Sequence, residues 1–348
     1  MSASLADFEL PRVRERLQRY FAAQGLEGVE IEGLRRFTVG FSWITFGFTG
    51  SWRERGARVE RRLILRIGPP MGIFAPYKAS PEFRTLRALA GSGVPVPGVY
   101  GFSDDNEAFG APFFICDFVT GDAPIPWTHD GGPAFSEPVR RELAVQFVSA
   151  LAALHRFAWQ GSEVEGIDGA RDVQRAAIEQ VDYWETNFAR WSRAREPMLE
   201  WAAIWLRDHA PVAPRISVVH GDFRIGNFLV DAGRITAILD WELVRLGDPL
   251  EDIGWICMQA WRGRSPYMCH LFERDELLEG YAALTGFAVD PRAARYWEAF
   301  GTYKLAVMHY GAQHCFETRG YNDMRMAGMT AQIPRLLLQV ESAMERAA

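Results

Sequence analysis

The stretch VVHGDFRIGNFLV, residues 218–230, sets a histidine, an aspartate, an arginine and an asparagine between two apolar runs. Packing alone gives no reason for His220, Asp222, Arg224 and Asn227 in that place. A further apolar run, ITAIL, follows the connection DAGR and ends at Asp240. Asp and Gly in a short connection between apolar runs signal a β-hairpin. Folding the chain at Ala232 and Gly233 brings Asn227 and Asp240 together at one sheet end, with Asp222 a short loop away. Two carboxylates and an amide oxygen are hard ligands of the kind Mg²⁺ takes while keeping positions open for water and phosphate. The partner expected for such a site is a nucleotide.

The elements that must carry this hairpin can be read on either side of it. With 348 residues, 48% hydrophobic and 24% charged, the chain can bury a large core in one large domain or two lobes. LPRVRERLQRYFAAQ (10–24) has the apolar spacing of a helix, and 29–67 breaks into short β-rich runs separated by turns. SPEFRTLRALAGSG reads as one helix with Ser80 as N-cap and Pro81 at the first position. VPVPGVYGFSDD and APFFICDFVTGD add two extended segments. Beyond residue 136 the pattern is helical, over 136–159, 171–188, 196–209, 249–261, 273–284, 292–316 and 322–346. A β island at 216–240 interrupts it. This order predicts an α+β protein of two lobes, divided near 116–122.

The net charge of −6 gives no bulk attraction to nucleic acid or an anionic membrane, so neither is expected as a partner. Cys116, Cys257, Cys269 and Cys315 lie far apart with no CxxC pair, as in a reduced cytoplasmic protein. No secretory pattern and no uncharged apolar run of about 18 residues is present. Of 38 basic residues only Lys78 and Lys304 are lysines. His309, His314 and Cys315 in MHYGAQHCF do not share the i, i+4 face of a zinc helix and read as core, as does His155.

HGDFRIGN followed by ILDWE resembles the catalytic and metal-binding segments of the aminoglycoside phosphotransferase and choline kinase family, distant relatives of the protein kinases. The protein-kinase pattern sets a catalytic Asp five positions before a metal-binding Asn, with a second metal-binding Asp after a hairpin. Asp222, Asn227 and Asp240 repeat that order. The longer string from Val218 to Trp255 most resembles the kinase-like domains associated with certain acyl-CoA dehydrogenases and their bacterial stand-alone relatives.

The resemblance implies a bilobal protein-kinase-like fold. Residues 1–116 would form a small antiparallel lobe with one main helix, 117–122 a hinge, and 123–348 a helical lobe holding the catalytic hairpin. ATP and Mg²⁺ are the implied cofactors. Asp222 would act as base, Arg224 would clamp the γ-phosphate, and Asn227 and Asp240 would hold the metal. Gly40 and Ser42 would sit at the tip of a phosphate-covering hairpin in FTVGFSWITFGF, with Phe41 and Trp43 where a second glycine and an asparagine more often stand. Arg66 would take the place of the usual lysine, paired to Glu82, with Lys78 as an outside candidate. Adenine would meet the backbone near Asp117 and Val119. His220 reads as loop scaffolding, Asp252 as a brace for the catalytic loop and Asp248 as a helix cap, while Glu242 faces either metal or substrate.

The implied activity is transfer of the γ-phosphate of ATP to a hydroxyl of a small molecule. A hydroxyacyl thioester such as a hydroxyacyl-CoA, or another largely apolar alcohol, is the implied acceptor; composition leaves aminoglycosides, macrolides, choline and a homodimer open. Two rival readings stand beside it. A nucleotide-binding pseudokinase would account for the degenerate glycine loop and missing lysine, against the intact Asp222, Asn227 and Asp240. A metal-dependent hydrolase would use His220 with the acids of 240–252, but lacks paired histidines.

Overall fold

A computed structural model describes residues 8–37, 42–54, 56–124, 135–318 and 323–348. Helix α1 (Leu10–Ala23) buries Val13, Leu17 and Phe21, which the i, i+4 spacing lines up as one stripe. That stripe closes over a sheet of β1 (Glu27–Phe37), β2 (Ile44–Glu54), β3 (Ala57–Ile67), β4 (Val99–Ser103) and β5 (Phe113–Asp117). The strand order is β1-β2-β3-β5-β4, antiparallel at each pairing. β2 and β3 keep register from Ile44↔Ile67 to Glu54↔Ala57. Paired residues point to one face, so Phe46 and Phe48 join Leu65 and Leu63 beneath α1.

Helix α2 (Ser80–Leu89) follows β3 and carries Pro81 in its first turn. Ser80 does not cap it. The Ala79 and Ser80 N–H groups instead donate to Asp104 Oδ1 at 2.6 and 3.0 Å, satisfying donors that a helix start leaves free.

The second part is built from α3 (Glu137–Arg156), α4 (Ala176–Trp191), α5 (Pro197–Asp208), α6 (Leu250–Cys257), α7 (Arg274–Thr285), α8 (Pro291–Glu317), α9 (Met324–Thr330) and α10 (Ile333–Ala347). Three boundaries differ most from the sequence reading. α4 begins at 176 rather than 171, because Asp172 holds the chain in a turn by accepting from Gln174 N at 2.9 Å. The helix expected over 249–261 stops at Cys257, and Met258 is extended before a 3₁₀ turn at Gln259–Trp261. The last helix is split: Pro334 has no N–H and its ring opposes the carbonyl of Thr330, where α9 ends.

Two small ribbons carry the polar motif. β6 (Ser217–Val219) pairs with β9 (Arg245–Gly247), a strand not expected from the sequence, and β7 (Phe228–Asp231) pairs with β8 (Arg234–Ile238). The β7–β8 connection is Ala232–Gly233 with φ of 47° and 78°, the left-handed pair of a type I′ turn.

The larger core runs from Phe83 and Leu86 of α2 and Phe114 of β5 into α3, α6 and α8. It therefore crosses the division expected near 116–122. α6 lies so close to α8 that a Cβ at Gly254 would collide with the Trp297 backbone. No helix among the described residues is long and apolar enough to cross a membrane.

Candidate active site

The loop that carries Asp222 leaves β6 at His220 and turns at Gly221, whose φ of 83° suits glycine. The turn is fixed from below by Asp252 of α6. Its carboxylate accepts from His220 N at 2.8 Å and Gly221 N at 2.9 Å, and meets His155 Nε2 at 3.1 Å. Burial alone would raise the Asp252 pKa, but the His155 hydrogen bond, the neighbouring imidazoles and the His220 N–H outweigh it and hold it below the ordinary value. His155 Nδ1 in turn meets Tyr281 Oη at 2.7 Å.

His220 is buried and burial lowers its pKa, which favours the neutral ring. Nδ1 accepts the Asp222 N–H at 3.1 Å, so Nε2–H donates to Leu239 O at 2.9 Å. The ring fastens the Asp222 loop to the end of β8. Both nitrogens are thereby used, and the hydrolase reading loses its candidate ligand.

The Asp222 carboxylate receives three donors. Oδ1 accepts from Trp255 Nε1 at 2.7 Å and Arg224 Nε at 2.9 Å, and Oδ2 from Asn227 Nδ2 at 2.6 Å. With its nitrogen on Asp222, Asn227 has its amide oxygen as the side-chain atom able to meet a cation. Leu239 N donates to Asn227 O at 2.7 Å across the hairpin, which brings Asp240 beside Asn227. Asp240 has φ of 62°, a left-handed conformation that Asp adopts more readily than most residues.

Asp240 connects the helical part to the sheet. Arg66 of β3 donates from Nη2 to Asp240 Oδ1 and from Nη1 to Glu82 Oε2, each at 3.0 Å. The Trp43 and Phe114 rings flank the guanidinium at 5.5 and 5.6 Å. Burial would lower the Arg66 pKa, but Glu82, Asp240 and Glu242 outweigh it and the group stays charged. The acids are in excess. Burial pushes Glu82 up to about 7, with Arg66 opposing the rise. Burial, then Asp240 and Glu82, push Glu242 well above the usual carboxylate range, while Ser42 beside it acts the other way. Glu82 Oε1 and Glu242 Oε2 are buried without a hydrogen-bond partner.

The Asn227 amide oxygen and the Asp240 carboxylate are of the oxygen type that a hard divalent cation takes. No cluster of three His, Cys, Asp or Glu able to hold a metal occurs among the described residues; the expected pair contains only one such residue.

The structure brings together Asp222, Asn227 and Arg224 on one side and Asp240, Arg66, Glu82 and Ser42 on the other. Arg224, expected at a phosphate, is engaged with Asp222, donates to Ile225 O at 3.0 Å and covers the Trp261 ring at 4.4 Å. Gly40 lies outside the described residues. Lys78 is exposed on the segment before α2. The Asp117 carboxylate accepts from Tyr100 Oη at 2.6 Å and Gly98 N at 3.1 Å. Val119 is half-buried, and Asp122 exchanges two backbone hydrogen bonds of 2.9 Å with Val230 of β7, stitching this segment to the β7–β8 hairpin. Asp248 accepts from Leu250 N at 2.8 Å and Trp297 Nε1 at 2.9 Å, as a helix-start residue should. The sequence reading missed Trp255, although its place three residues after Asp252 puts both on one face of α6. It also gave Lys304 no role.

A model of the phosphotransferase enzyme family matches residues 47–297, more than two thirds of the chain. The chain belongs to this family. The enzyme class expected from the sequence, a phosphotransferase, follows from the membership. This phosphotransferase-family chain is 31% identical over 204 residues to mouse acyl-CoA dehydrogenase family member 10, covering 57% of the chain and 18% of that relative. It thus spans less than a fifth of that protein. Among solved structures, a Ralstonia eutropha protein provisionally described as an aminoglycoside phosphotransferase has a TM-score of 0.72 at 22% identity, over 95% of this chain and 98% of the other. A thermostable mutant of an aminoglycoside phosphotransferase, in ternary complex with AMP-PNP and hygromycin B, has a TM-score of 0.56 at 17% identity, over 97% and 98%. These likenesses bear out the kinase-like α+β fold.

Proposed function

We propose that the chain transfers the γ-phosphate of ATP to a hydroxyl of a small molecule in the cytoplasm. The observation that carries this reading is the Asp222 carboxylate, held by Trp255, Arg224 and Asn227 beside a hairpin end that presents Asp240. Asp222 accepts the proton of the acceptor hydroxyl as its oxygen attacks the γ-phosphate. Asn227 and Asp240 would hold Mg²⁺, with Arg66 and its partner Glu82 toward the α and β phosphates and Arg224 swinging from Asp222 toward the γ-phosphate. When bound, Mg²⁺ would offset the phosphate charge. Ser42 borders the phosphates, and the backbone near Asp117 and Val119 takes adenine. The four cysteines are free and buried, in keeping with a reducing compartment.

For the acceptor we favour a hydroxyacyl thioester or another largely apolar alcohol. The similarity to an acyl-CoA dehydrogenase family member supports this choice over an aminoglycoside. Choline, macrolides and aminoglycosides are the alternatives to be tried beside it.

Mg-ATP is offered with 4-hydroxyacyl-CoA, choline, a macrolide and an aminoglycoside in turn. ADP release depends on one acceptor and falls by about a thousandfold or more in Asp222→Asn, while nucleotide binding persists. Nucleotide binding without acceptor-stimulated turnover would favour the pseudokinase reading instead.

A further inference from the structure

One of the two lysines lies directly beneath the catalytic loop. Lys304 of α8 is fully buried, and its Nζ donates to Gly221 O at 2.6 Å. The same ammonium sits over the Trp255 ring at 4.5 Å and faces the Trp184 ring at 5.5 Å. Trp255 donates its indole N–H to Asp222 Oδ1 at 2.7 Å. One buried cation thus touches the residue before Asp222 and the side chain that holds the Asp222 carboxylate. We propose that Lys304 is a positioning residue for Asp222, acting through the Gly221 carbonyl and the Trp255 indole together. The proposal rests on the reading of Asp222 as the base.

Lysine suits this place physically. Its ammonium is a compact point charge with three donors, whereas a guanidinium is planar and wider. The charged groups facing it are Glu251 and Asp252 of α6, Arg245 of β9 and Asp222 of the loop. Glu251 Oε1 lies 3.5 Å from Nζ and is also paired with Arg245. Burial outweighs the acids and brings the Lys304 pKa down to about 8. The cation is therefore present at neutral pH and is lost as pH rises through that value, loosening its hold on both the indole face and Glu251.

The test uses the full chain with its tryptophan indoles labelled with ¹⁵N, titrated from about pH 6.5 to about 10. Trp255→Phe identifies the Trp255 signal. In the unsubstituted protein that signal shifts with a midpoint near 8, and kcat for the accepted alcohol falls over the same window. Lys304→Met abolishes the inflection and lowers kcat by roughly ten- to a hundredfold. Its Kd for Mg-ATP, by calorimetry, stays within about twofold, a split that general destabilisation would not produce. Glu251→Gln removes an acid that favours the cation, so its midpoint moves to lower pH; it serves if Lys304→Met does not fold. A Trp255 signal and pH response in Lys304→Met like those of the unsubstituted protein overturn the proposal, as does an unmoved midpoint in Glu251→Gln. Absence of turnover with every acceptor would sink the phosphotransferase reading, while the indole titration still decides whether Lys304 controls the Asp222 contact.

Discussion

Beneath the Asp222 loop, Asp252 receives two backbone N–H groups and His155, and its pKa is held low. On the sheet side, Glu82 and Glu242 crowd Arg66 together with Asp240, and their pKa values are pushed up. Glu82 and Asp252 are comparably buried at 2% and 0% exposure, so burial does not separate them. Donors do. Asp252 is completed by groups of its own chain and fixes where His220 and Gly221 lie. The three acids around Arg66 share one guanidinium, and Glu82 and Glu242 each retain a buried oxygen without a partner. A carboxylate set of that kind is completed by added positive charge, whereas the Asp252 set is already a frame.

The contrast can be broken from either side. Asp252→Ala removes the acceptor of two buried backbone donors and the partner of His155, and should cost about 3–5 kcal/mol in urea unfolding. A loss under about 1 kcal/mol would mean that the frame is not one. Arg66→Met leaves the sheet-side acids without their cation and should weaken Mg-ATP binding by about 2 kcal/mol, roughly thirtyfold in Kd by calorimetry. An unchanged Kd would place the phosphates elsewhere. The smallest effect is a slope. Because the folded-state pKa of Glu82 is raised from 4.5 to about 7, the folded chain binds more protons across that window. Glu82 therefore makes stability fall as pH rises through it, by at most about 1.4 kcal/mol per pH unit. Comparing unfolding of the unsubstituted protein with Glu82→Gln isolates this term; equal slopes would show that Glu82 is not the source.

The hairpin was legible because Asp231, Ala232 and Gly233 carry turn chemistry and the apolar runs beside them fix the register. The Arg66–Glu82 pair was legible only through the family resemblance, since a strand arginine and a helix glutamate carry no local sign of each other. Other features depend on contacts between distant positions. Asp104 caps α2 from beyond the helix, β9 is three residues with no alternation, and Lys304 reaches Gly221 across 83 positions. Pro334 was readable as a break, but the strong apolar periodicity of 322–346 masked it. Trp255 was readable too, one turn after Asp252, yet nothing local shows that its N–H meets Asp222.

The central claim is that Asp222 directs phosphoryl transfer to a hydroxyl. Phosphorus NMR of the protein with Mg-ATP and 4-hydroxyacyl-CoA tests it most directly. The account predicts a new phosphomonoester signal that grows in step with ADP and is absent with Asp222→Asn. Release of inorganic phosphate alone, or a phosphomonoester formed equally well by Asp222→Asn, would contradict it.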